Sequence, residues 1–300
     1  MLLIKNTFLI DPKTHRQERA DILVCDGKIA AIGDAAAFKK MTDASQLQIY
    51  DGEGLVAAPG LIDVHVHFRD PGFTYKEDIL SGSRAAAAGG FTTVVLMANT
   101  NPVVDNQETL SYVLEKGKET DIHVKSCCSI TKGMRGEELT DMSYLLQQGA
   151  AGFTDDGKPL LDEALTYQAM QEAARLGTVL SFHEENPAYI KDNGINEGKA
   201  SAHYGIGGSS REAEIVMVRR DVRLAAETGA AINIQHISTK EAVMLVREAK
   251  KAGHAIHAEA TPHHIALTQE AAIRCGTLAK MNPPLREEAD RQAIIEGLAD

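Results

Sequence analysis

The chain has 300 residues, of which 44% are hydrophobic and 24% are charged, a composition typical of a folded globular protein. Its formal net charge is −11, and it has no basic patch interleaved with aromatic residues, which argues against nucleic acid or an anionic membrane as a partner. The apolar opening at residues 1–10 is too short and too interrupted for a signal peptide or a membrane span, so we expect a cytoplasmic protein.

Four short strand-like runs precede residue 55. The dipeptide Asp26-Gly27 lies between the second and third runs, and such a pair is a strong signal for a tight hairpin turn. We therefore assign residues 1–55 to the N-terminal part of a small β-sandwich domain. The runs are 2–4, 22–25, 28–32 and 48–50.

From residue 56 onward, short apolar runs alternate with amphipathic helical segments. This alternation predicts a parallel sheet, and the number of units, without a Gly-x-Gly-x-x-Gly turn, favours a (β/α)8 barrel over a doubly wound sheet. The last helical segment, 286–298, reaches nearly to residue 300, so we expect the eighth strand to come later and the barrel domain, 56–300, to be C-terminally incomplete. The strand runs are 61–66, 92–97, 123–127, 151–154, 178–182, 231–234 and 255–258, and the main helical segments are 105–118, 162–176, 211–228 and 239–252.

The four cysteines show no metal-ligand spacing. No Cys-x-x-Cys occurs, and the adjacent pair lies inside a predicted strand, where neighbouring side chains point to opposite faces. We interpret all four as reduced thiols rather than disulfides or metal ligands. They are Cys25, Cys127, Cys128 and Cys275.

Two histidines one residue apart end the first predicted barrel strand. Because alternate side chains of a strand share a face, His65 and His67 project the same way and can bind one metal ion. An isolated His-X-His at the end of a core strand more often has no metal-binding role. Here Arg69 continues the same parity before the turn Asp70-Pro71-Gly72, so the segment brings metal ligands and an anion-binding guanidinium to one rim.

Other predicted strands also end at polar side chains. Because barrel active sites gather at the C-terminal ends of the strands, these residues are expected to converge. Four histidines with a carboxylate suit Zn²⁺ or a similar metal, and one more bridging oxygen ligand would allow a pair of ions. The candidate ligands are His65, His67, Asp156, His183 and His236, with Asn99 at the end of the second strand.

These segments together strongly resemble the bacterial class I type of dihydroorotase, within the amidohydrolase superfamily. His-X-His alone is shared with hydantoinases, dihydropyrimidinases and allantoinases, whereas the Arg-Asp-Pro-Gly continuation, Asp-Asp-Gly and Asn-Pro-Pro-Leu-Arg are more particular. The resemblance implies reversible conversion of N-carbamoyl-L-aspartate and (S)-dihydroorotate in pyrimidine biosynthesis. Its motifs are HVHFRDPG at 65–72, MANTNPVVD at 97–105, GFTDDGKP at 152–159, HEE at 183–185, QHIST at 235–239, EATPHH at 259–264 and MNPPLR at 281–286.

The resemblance also implies roles for single residues. It makes His65 and His67 ligands of a first zinc ion and His183 and His236 ligands of a second, two ions being favoured over one. Asp156 matches the carboxylate that ligates or bridges the metals where hydantoinases use a carboxylated lysine. For substrate binding, it implies Arg69 and Asn99 on the carboxylate and Asn282 on the ring.

Several neighbours of these residues receive lesser roles. We expect Asp155 to support the site or close a loop rather than bind metal. A purely structural role is favoured for His263 and His264. We expect Glu184 and Glu185 to serve hydrogen bonding near the ligands and solvent exposure.

The mechanism that the resemblance implies is attack of metal-activated water on an amide carbonyl. In the family, an aspartate after the eighth strand, in an Asp-His-Ala-Pro-His segment, moves the proton between water and ring nitrogen. That segment is absent before Asp300, so we predict no catalytic residue of this kind within the chain and low activity for the chain as it stands. If it is nevertheless fully active, Glu259 is the first candidate for the proton carrier.

Two other readings stay open. An allantoinase or hydantoinase-like (dihydropyrimidinase-like) hydrolase would keep the metals but should lack Arg69 and carry a lysine in place of Asp156. A non-catalytic partner of aspartate transcarbamoylase is the other, although relatives of that kind typically lose the metal histidines. We expect a small-molecule substrate and a homodimer.

Overall fold

The computed structural model describes residues 1–40 and 47–300, which form two compact units, Met1–Leu61 and Ile62–Asp300. The division lies a few residues after the boundary that we placed at residue 55. Among the helices of the described ranges, none has both the length and the hydropathy that crossing a membrane requires.

The first unit contains one five-stranded sheet. Its order is β3-β2-β1-β4, with β5 also paired to β1, and the hairpin predicted at Asp26-Gly27 is confirmed by positive φ angles of 51° and 72°. The first two strands are much longer than predicted, because their pairing continues through polar residues beyond a register irregularity between Ile4 and Thr7. The strands are β1 (Leu2–Asp11), β2 (Arg16–Cys25), β3 (Lys28–Gly33), β4 (Gln48–Asp51) and β5 (Val56–Ala57), and a 3-10 helix spans Ala35–Lys40.

Seven further strands follow in the order that the sequence predicted. They are β6 (Leu61–Val66), β7 (Phe91–Leu96), β8 (His123–Ser126), β9 (Phe153–Thr154), β10 (Val179–Phe182), β11 (Ala231–Ile234) and β12 (Ile256–Ala258).

These seven strands stand side by side in chain order. One group has the order β6-β7-β8 and the other β9-β10-β11-β12, and the β7–β8, β9–β10, β10–β11 and β11–β12 pairs are parallel. Backbone hydrogen bonds from Ala151 N to Ser126 O and from Thr154 N to Cys128 O join the two groups. All seven C-terminal strand ends therefore meet at one rim, as a barrel requires.

Helices alternate with these strands. They are α1 (Ile79–Ala88), α2 (Gln107–Gly117), α3 (Met142–Gln147), α4 (Glu163–Leu176), α5 (Lys199–Tyr204), α6 (Glu212–Thr228), α7 (Lys240–Lys251), α8 (Pro262–Ala266), α9 (Gln269–Cys275) and α10 (Glu288–Gly297), with 3-10 helices at Lys132–Met134, Pro187–Tyr189 and Gly276–Ala279.

Local capping explains why the long helices could be predicted. Asn106, Asp162 and Thr239 each accept a backbone hydrogen bond at an N-terminus, and α4 and α6 end at Gly177 and Gly229 in the left-handed conformation. The sequence analysis did not assign α3, α5, α8 and α9. These helices have only five to seven residues and too few turns for a clear apolar period.

The main core lies between the parallel strands and the helices that cover them. Strand residues such as Phe153, Leu180 and Ile232 are fully buried, and Met170 and Val218 pack against them from α4 and α6. These buried side chains explain the apolar character of strands β9, β10 and β11. The four cysteines are free, as predicted, and Cys127 and Cys128 are buried.

Candidate metal centre

Strand β6 ends by presenting His65 and His67 on one side. Their Nε2 atoms lie 3.2 Å apart, and both side chains are mostly buried. The two-residue period of the strand produces this arrangement, because the intervening residue, Val66, points the other way. The carbonyl of Val66 instead accepts a hydrogen bond from Met97 N, just after β7.

Asp156, two residues after β9, lies between four histidines that belong to the ends of three strands, β6, β10 and β11. Its Oδ1 atom is 3.5 Å from His65 Nε2, and its Oδ2 atom is 3.3 Å from His67 Nε2. The same Oδ1 atom is 3.7 Å from His183 Nδ1 and 3.8 Å from His236 Nε2. One carboxylate therefore faces all four predicted histidines.

His183 and His236 follow the neighbouring strands β10 and β11. Their Nδ1 and Nε2 atoms lie 3.0 Å apart and both residues are buried. His236 has a φ of 34°, an uncommon angle that turns the chain sharply where β11 ends. The five predicted ligands, which lie far apart in the sequence, thus meet at one point.

The donor set forms two triads that share Asp156. They are His65, His67 and Asp156, and Asp156, His183 and His236, and within each triad the donor atoms lie within 4.8 Å of one another. Imidazole nitrogen and carboxylate oxygen are the usual zinc ligands outside thiolate sites, and three protein ligands leave a position for water or substrate. The residues present therefore fit a metal pair bridged by one carboxylate.

The surroundings of the cluster raise the pKa of two histidines, His65 and His183, and lower the pKa of a third, His67. Burial would lower the pKa of His65, but hydrogen bonds to Asp156 and Glu259 outweigh it and raise the pKa to about 10. For His183, hydrogen bonds to Asp156 and Glu185 likewise outweigh burial and raise the pKa to about 9. For His67, burial dominates and, with the charge of Arg69, lowers the pKa to about 4.

Asp156 is a carboxylate over the whole neutral range. Its burial would raise the pKa, but hydrogen bonds to His183, His236 and His65 outweigh burial and hold the pKa well below its usual range. A permanent negative charge at the centre of four imidazoles is the electrostatic environment that a divalent cation requires.

Two glutamates contact the histidines from outside the cluster, Glu185, which is buried, and Glu259, whose side chain is 16% exposed. His65 Nδ1 is hydrogen-bonded to Glu259, and His183 Nε2 lies 3.1 Å from Glu185 Oε2. The expectation of solvent exposure for Glu184 and Glu185 is wrong, since they are 1% and 3% exposed.

Asn99 lies within the cluster rather than free in the cavity. Its amide nitrogen donates to Asp156 Oδ2 at 2.9 Å, and its Oδ1 atom is 3.1 Å from His67 Nδ1. Both polar ends of the side chain are thus engaged by candidate metal ligands, and Asn99 fixes their orientation.

Beside the cluster is a cavity of about 530 Å³. His65, His67, His236 and Asn282 line it, together with His263. Within the described residues, the lining includes neither Arg69 nor Asn99. Asn282 and the histidines therefore share one cavity.

Arg69 follows His67 by two residues and has a φ of 57°. Its carbonyl accepts a hydrogen bond from Phe73 N, which closes the turn after β6. The guanidinium charge acts on His67, whose pKa it helps to lower. Arg69 thus lies close enough to the cluster to affect it electrostatically.

Asp155 takes the supporting role expected for it. Its Oδ1 atom accepts hydrogen bonds from Ile130 N at 2.8 Å and Thr131 N at 3.2 Å, and its Oδ2 atom accepts one from the Thr131 hydroxyl. Burial raises its pKa to about 6 against these bonds. The carboxyl therefore anchors the loop after β8 and is not part of either triad.

His264 has the structural role that the sequence favoured. It is buried, its Nδ1 atom lies 2.7 Å from Thr261 Oγ1, and its Nε2 atom lies 3.1 Å from the carbonyl of Pro283. This contact fastens the segment of Asn282 to α8. His263 differs, because it lines the cavity.

Comparison with known proteins agrees with this geometry. Residues 54–242, more than half of the chain, match the model of a protein family described as dihydro-orotase-like. A dihydroorotase from Clostridioides difficile (strain 630) is 52% identical over 303 residues, covering 100% of this chain and 70% of the relative. The chain belongs to the dihydroorotase family. Dihydroorotases from Clostridium acetobutylicum and Streptococcus thermophilus are 49% and 47% identical and are covered over 70% and 69% of their lengths.

Solved structures of cyclic-amide hydrolases share the fold of this family member. An L-hydantoinase (dihydropyrimidinase) from Arthrobacter aurescens matches with a TM-score of 0.80 and 25% identity over 99% of this chain, and a D-hydantoinase matches with 0.81 and 23%. The chain spans 66% and 65% of these two proteins, just under two thirds. The likeness confirms the predicted α/β barrel of the amidohydrolase kind.

Proposed function

We propose that this member of the dihydroorotase family catalyses the reversible conversion of N-carbamoyl-L-aspartate and (S)-dihydroorotate, with two zinc ions at the cluster around Asp156. The observation that carries the proposal is the sharing of one carboxylate by two histidine pairs, at positions that match the motifs of this family. Relatives named dihydroorotase, 44–52% identical to the chain, support the choice of reaction.

The metal part of the proposal rests on the donor set. His65 and His67 would hold one ion, His183 and His236 the other, and Asp156 would bridge them. When bound, zinc supplies a Lewis acid that activates water at neutral pH and polarises an amide carbonyl. The protein's part is to hold the five donors in place, and Asn99 contributes by fixing both His67 and Asp156.

Substrate recognition needs a cation, because substrate and product carry carboxylates and the protein is acidic. Arg69 is our candidate, since a guanidinium forms two parallel hydrogen bonds with a carboxylate. Asn282 and His263 are candidates for the ring, because both line the cavity beside the metal ligands. Asn99, implied for the carboxylate by the resemblance, has both ends engaged by His67 and Asp156, so we assign it to support of the ligands.

A hydantoinase activity is the second candidate, because hydantoinases are among the proteins of similar fold. Two residues argue against it. According to the resemblance, such enzymes carry a lysine at the position of Asp156. They are also expected to lack an arginine at the position of Arg69. A non-catalytic role is disfavoured because all four metal histidines are kept and converge.

The test compares ring opening of dihydroorotate and hydantoin by the zinc-loaded protein, with Asp156→Asn as the matched inactive control. We expect preference for dihydroorotate, at a rate that the control abolishes. Preference for hydantoin would replace the proposal by the second candidate. Zinc loading with turnover of neither, and no binding of dihydroorotate by calorimetry, would support the non-catalytic role.

The cytoplasmic location, the homodimer and an association with aspartate transcarbamoylase stay predictions.

A further inference from the structure

Each candidate metal triad contains one histidine whose outward nitrogen contacts a glutamate. His65 turns Nε2 toward Asp156 and Nδ1 toward Glu259. His183 has the opposite arrangement, with Nδ1 toward Asp156 and Nε2 at 3.1 Å from Glu185. The two imidazoles therefore present different nitrogens to the cluster, and in each case a carboxylate lies behind the other nitrogen.

Glu259 is itself held in a fixed position by neighbouring strands. Its Oε2 atom accepts a hydrogen bond from Asn233 Nδ2 at 2.9 Å, and the same nitrogen lies 2.8 Å from Ser181 Oγ. Asn233 belongs to β11 and Ser181 to β10, so the strands orient the carboxylate. A carboxylate held at both oxygens is suited to fixing His65 and poorly suited to carrying a proton to a substrate.

Glu185 interacts electrostatically with a buried guanidinium that a polar network holds in place. The guanidinium of Arg286, itself 3% exposed, donates to Asn196 Oδ1 at 2.8 Å and Ser209 O at 2.9 Å, and the Glu185 charge acts favourably on it. The fixed guanidinium therefore places a positive charge near the side chain that lies behind His183.

From these contacts we propose that Glu259 and Glu185 are positioning residues, one for each metal triad, which set the tautomer and the ring orientation of His65 and His183. A neutral imidazole carries one N–H, and a carboxylate that accepts it leaves the other nitrogen free to bind metal. Glu259 thereby selects Nε2 of His65, and Glu185 selects Nδ1 of His183. The inference rests on the metal centre proposed above.

The proposal predicts selective effects on the two ions. Loss of such an outer partner typically lowers metal affinity about 10- to 100-fold. Glu259→Gln should weaken only the ion held by His65 and His67, and Glu185→Gln only the ion held by His183 and His236. Glu184→Gln is the matched control, because Glu184 is equally buried and adjacent to Glu185 but lies beside Asp221 and Arg220 rather than a histidine.

The experiment titrates metal-free protein with Co²⁺ against a competing chelator and follows the visible absorption of each bound ion. Thermal unfolding of the metal-free variants checks the fold. Asn233→Ser is a milder second variant, which removes the bond that orients Glu259 and should lower affinity only for the His65–His67 ion.

Each outcome decides a different point. If the parent binds two ions and each glutamine variant loses affinity for its own ion alone, the proposal is supported. If Glu259→Gln and Glu185→Gln both bind metal as tightly as the parent, this inference is overturned and the metal centre stands. The same conclusion follows if each variant loses affinity for both ions equally and the control Glu184→Gln does so too. A parent that binds no metal would remove both the metal centre and this inference.

Discussion

The Nε2 atom of His65 lies 3.5 Å from the Oδ1 atom of Asp156, although His65 lies in β6 and Asp156 follows β9, and these strands are not neighbours in the sheet. The barrel arrangement explains this contact, because side chains from strands that are not neighbours point into the same interior. The carboxylate also reaches histidines after β10 and β11. Asp156, which follows β9, thus contacts candidate metal ligands from strands on either side of it in the sheet.

Asp156→Asn should remove both metal ions rather than one. The amide lacks the negative charge shared by the two triads. Loss of a residue that only hydrogen-bonds a metal ligand typically lowers metal affinity about 10- to 100-fold, and we expect a larger loss here. Elemental analysis after dialysis against a weak chelator measures the effect. Asp155→Asn, at the neighbouring buried aspartate, is the control and should keep the metal while losing stability, because Asp155 anchors residues 130 and 131. Retention of one full ion by Asp156→Asn would contradict a shared bridge.

Metal binding should release protons and strengthen as pH rises. In the metal-free protein the pKa values of His65 and His183 are raised to about 10 and about 9, so both carry a proton at pH 8. A metal ligand must be deprotonated, and binding at this pH therefore releases up to about two protons. Calorimetry in buffers of different ionisation enthalpy counts them. Binding with no proton release, or with affinity independent of pH between 7 and 9, would be inconsistent with these charged histidines.

His264 should make the fold sensitive to acid. Burial, with the charges of His263 and His236, lowers its pKa to about 3, against about 6.5 in the unfolded chain. Between these values the unfolded chain binds a proton that the folded protein does not, so stability falls as pH decreases, by up to about 1.4 kcal/mol per pH unit. Above about pH 6.5 His264 is neutral in both states, and it no longer makes the free energy of unfolding depend on pH.

The difference in unfolding free energy between the parent and His264→Asn, measured by denaturant from pH 7 to pH 4, isolates that effect. The variant should show the shallower dependence on pH. His203→Asn, at an exposed histidine, is the control and should keep the slope of the parent. Identical slopes for the parent and His264→Asn would show that the buried imidazole is not the group responsible.

Arg69→Met should impair recognition of the substrate carboxylate without removing metal. Loss of a desolvated charge-assisted pair costs about 2 to 5 kcal/mol in transition-state binding, observed as a lower kcat/KM for dihydroorotate. Arg69→Lys keeps the charge but not the fork of donors, and should lie between parent and methionine variant. An unchanged kcat/KM with normal metal content would exclude Arg69 from the substrate site.

The sequence alone was sufficient to predict the order of the strands and the five residues that come together in the cluster. Both depend on short-range rules: apolar runs of strand length alternate with capped amphipathic helices, and His65 and His67 share a face because a strand repeats every two residues. Parallel strands then place their C-terminal ends at one rim, so that Asp156, His183 and His236 can be expected nearby without knowledge of any distance.

Only the tertiary structure decided which groups surround those donors. Glu259 contacts a histidine 194 positions earlier in the chain, and Asn99 is engaged by two candidate ligands instead of being free for substrate. Gly72 is another case: its φ is 93°, and a β-carbon there would lie 2.1 Å from the carbonyl oxygen of Asn101. No local pattern encodes such contacts.

The physical reason is that the two kinds of information have different ranges. Strand periodicity and helix capping act over a few residues, so the sequence determined the parallel barrel and the five donors, His65, His67, Asp156, His183 and His236. Hydrogen-bond partners and pKa shifts depend on atoms that packing brings within about 3 Å of one another from distant segments. The contacts of Glu259 with His65 and of Glu185 with His183, the burial of Glu184 and Glu185, and the contacts of Asn99 therefore became visible only in the folded chain.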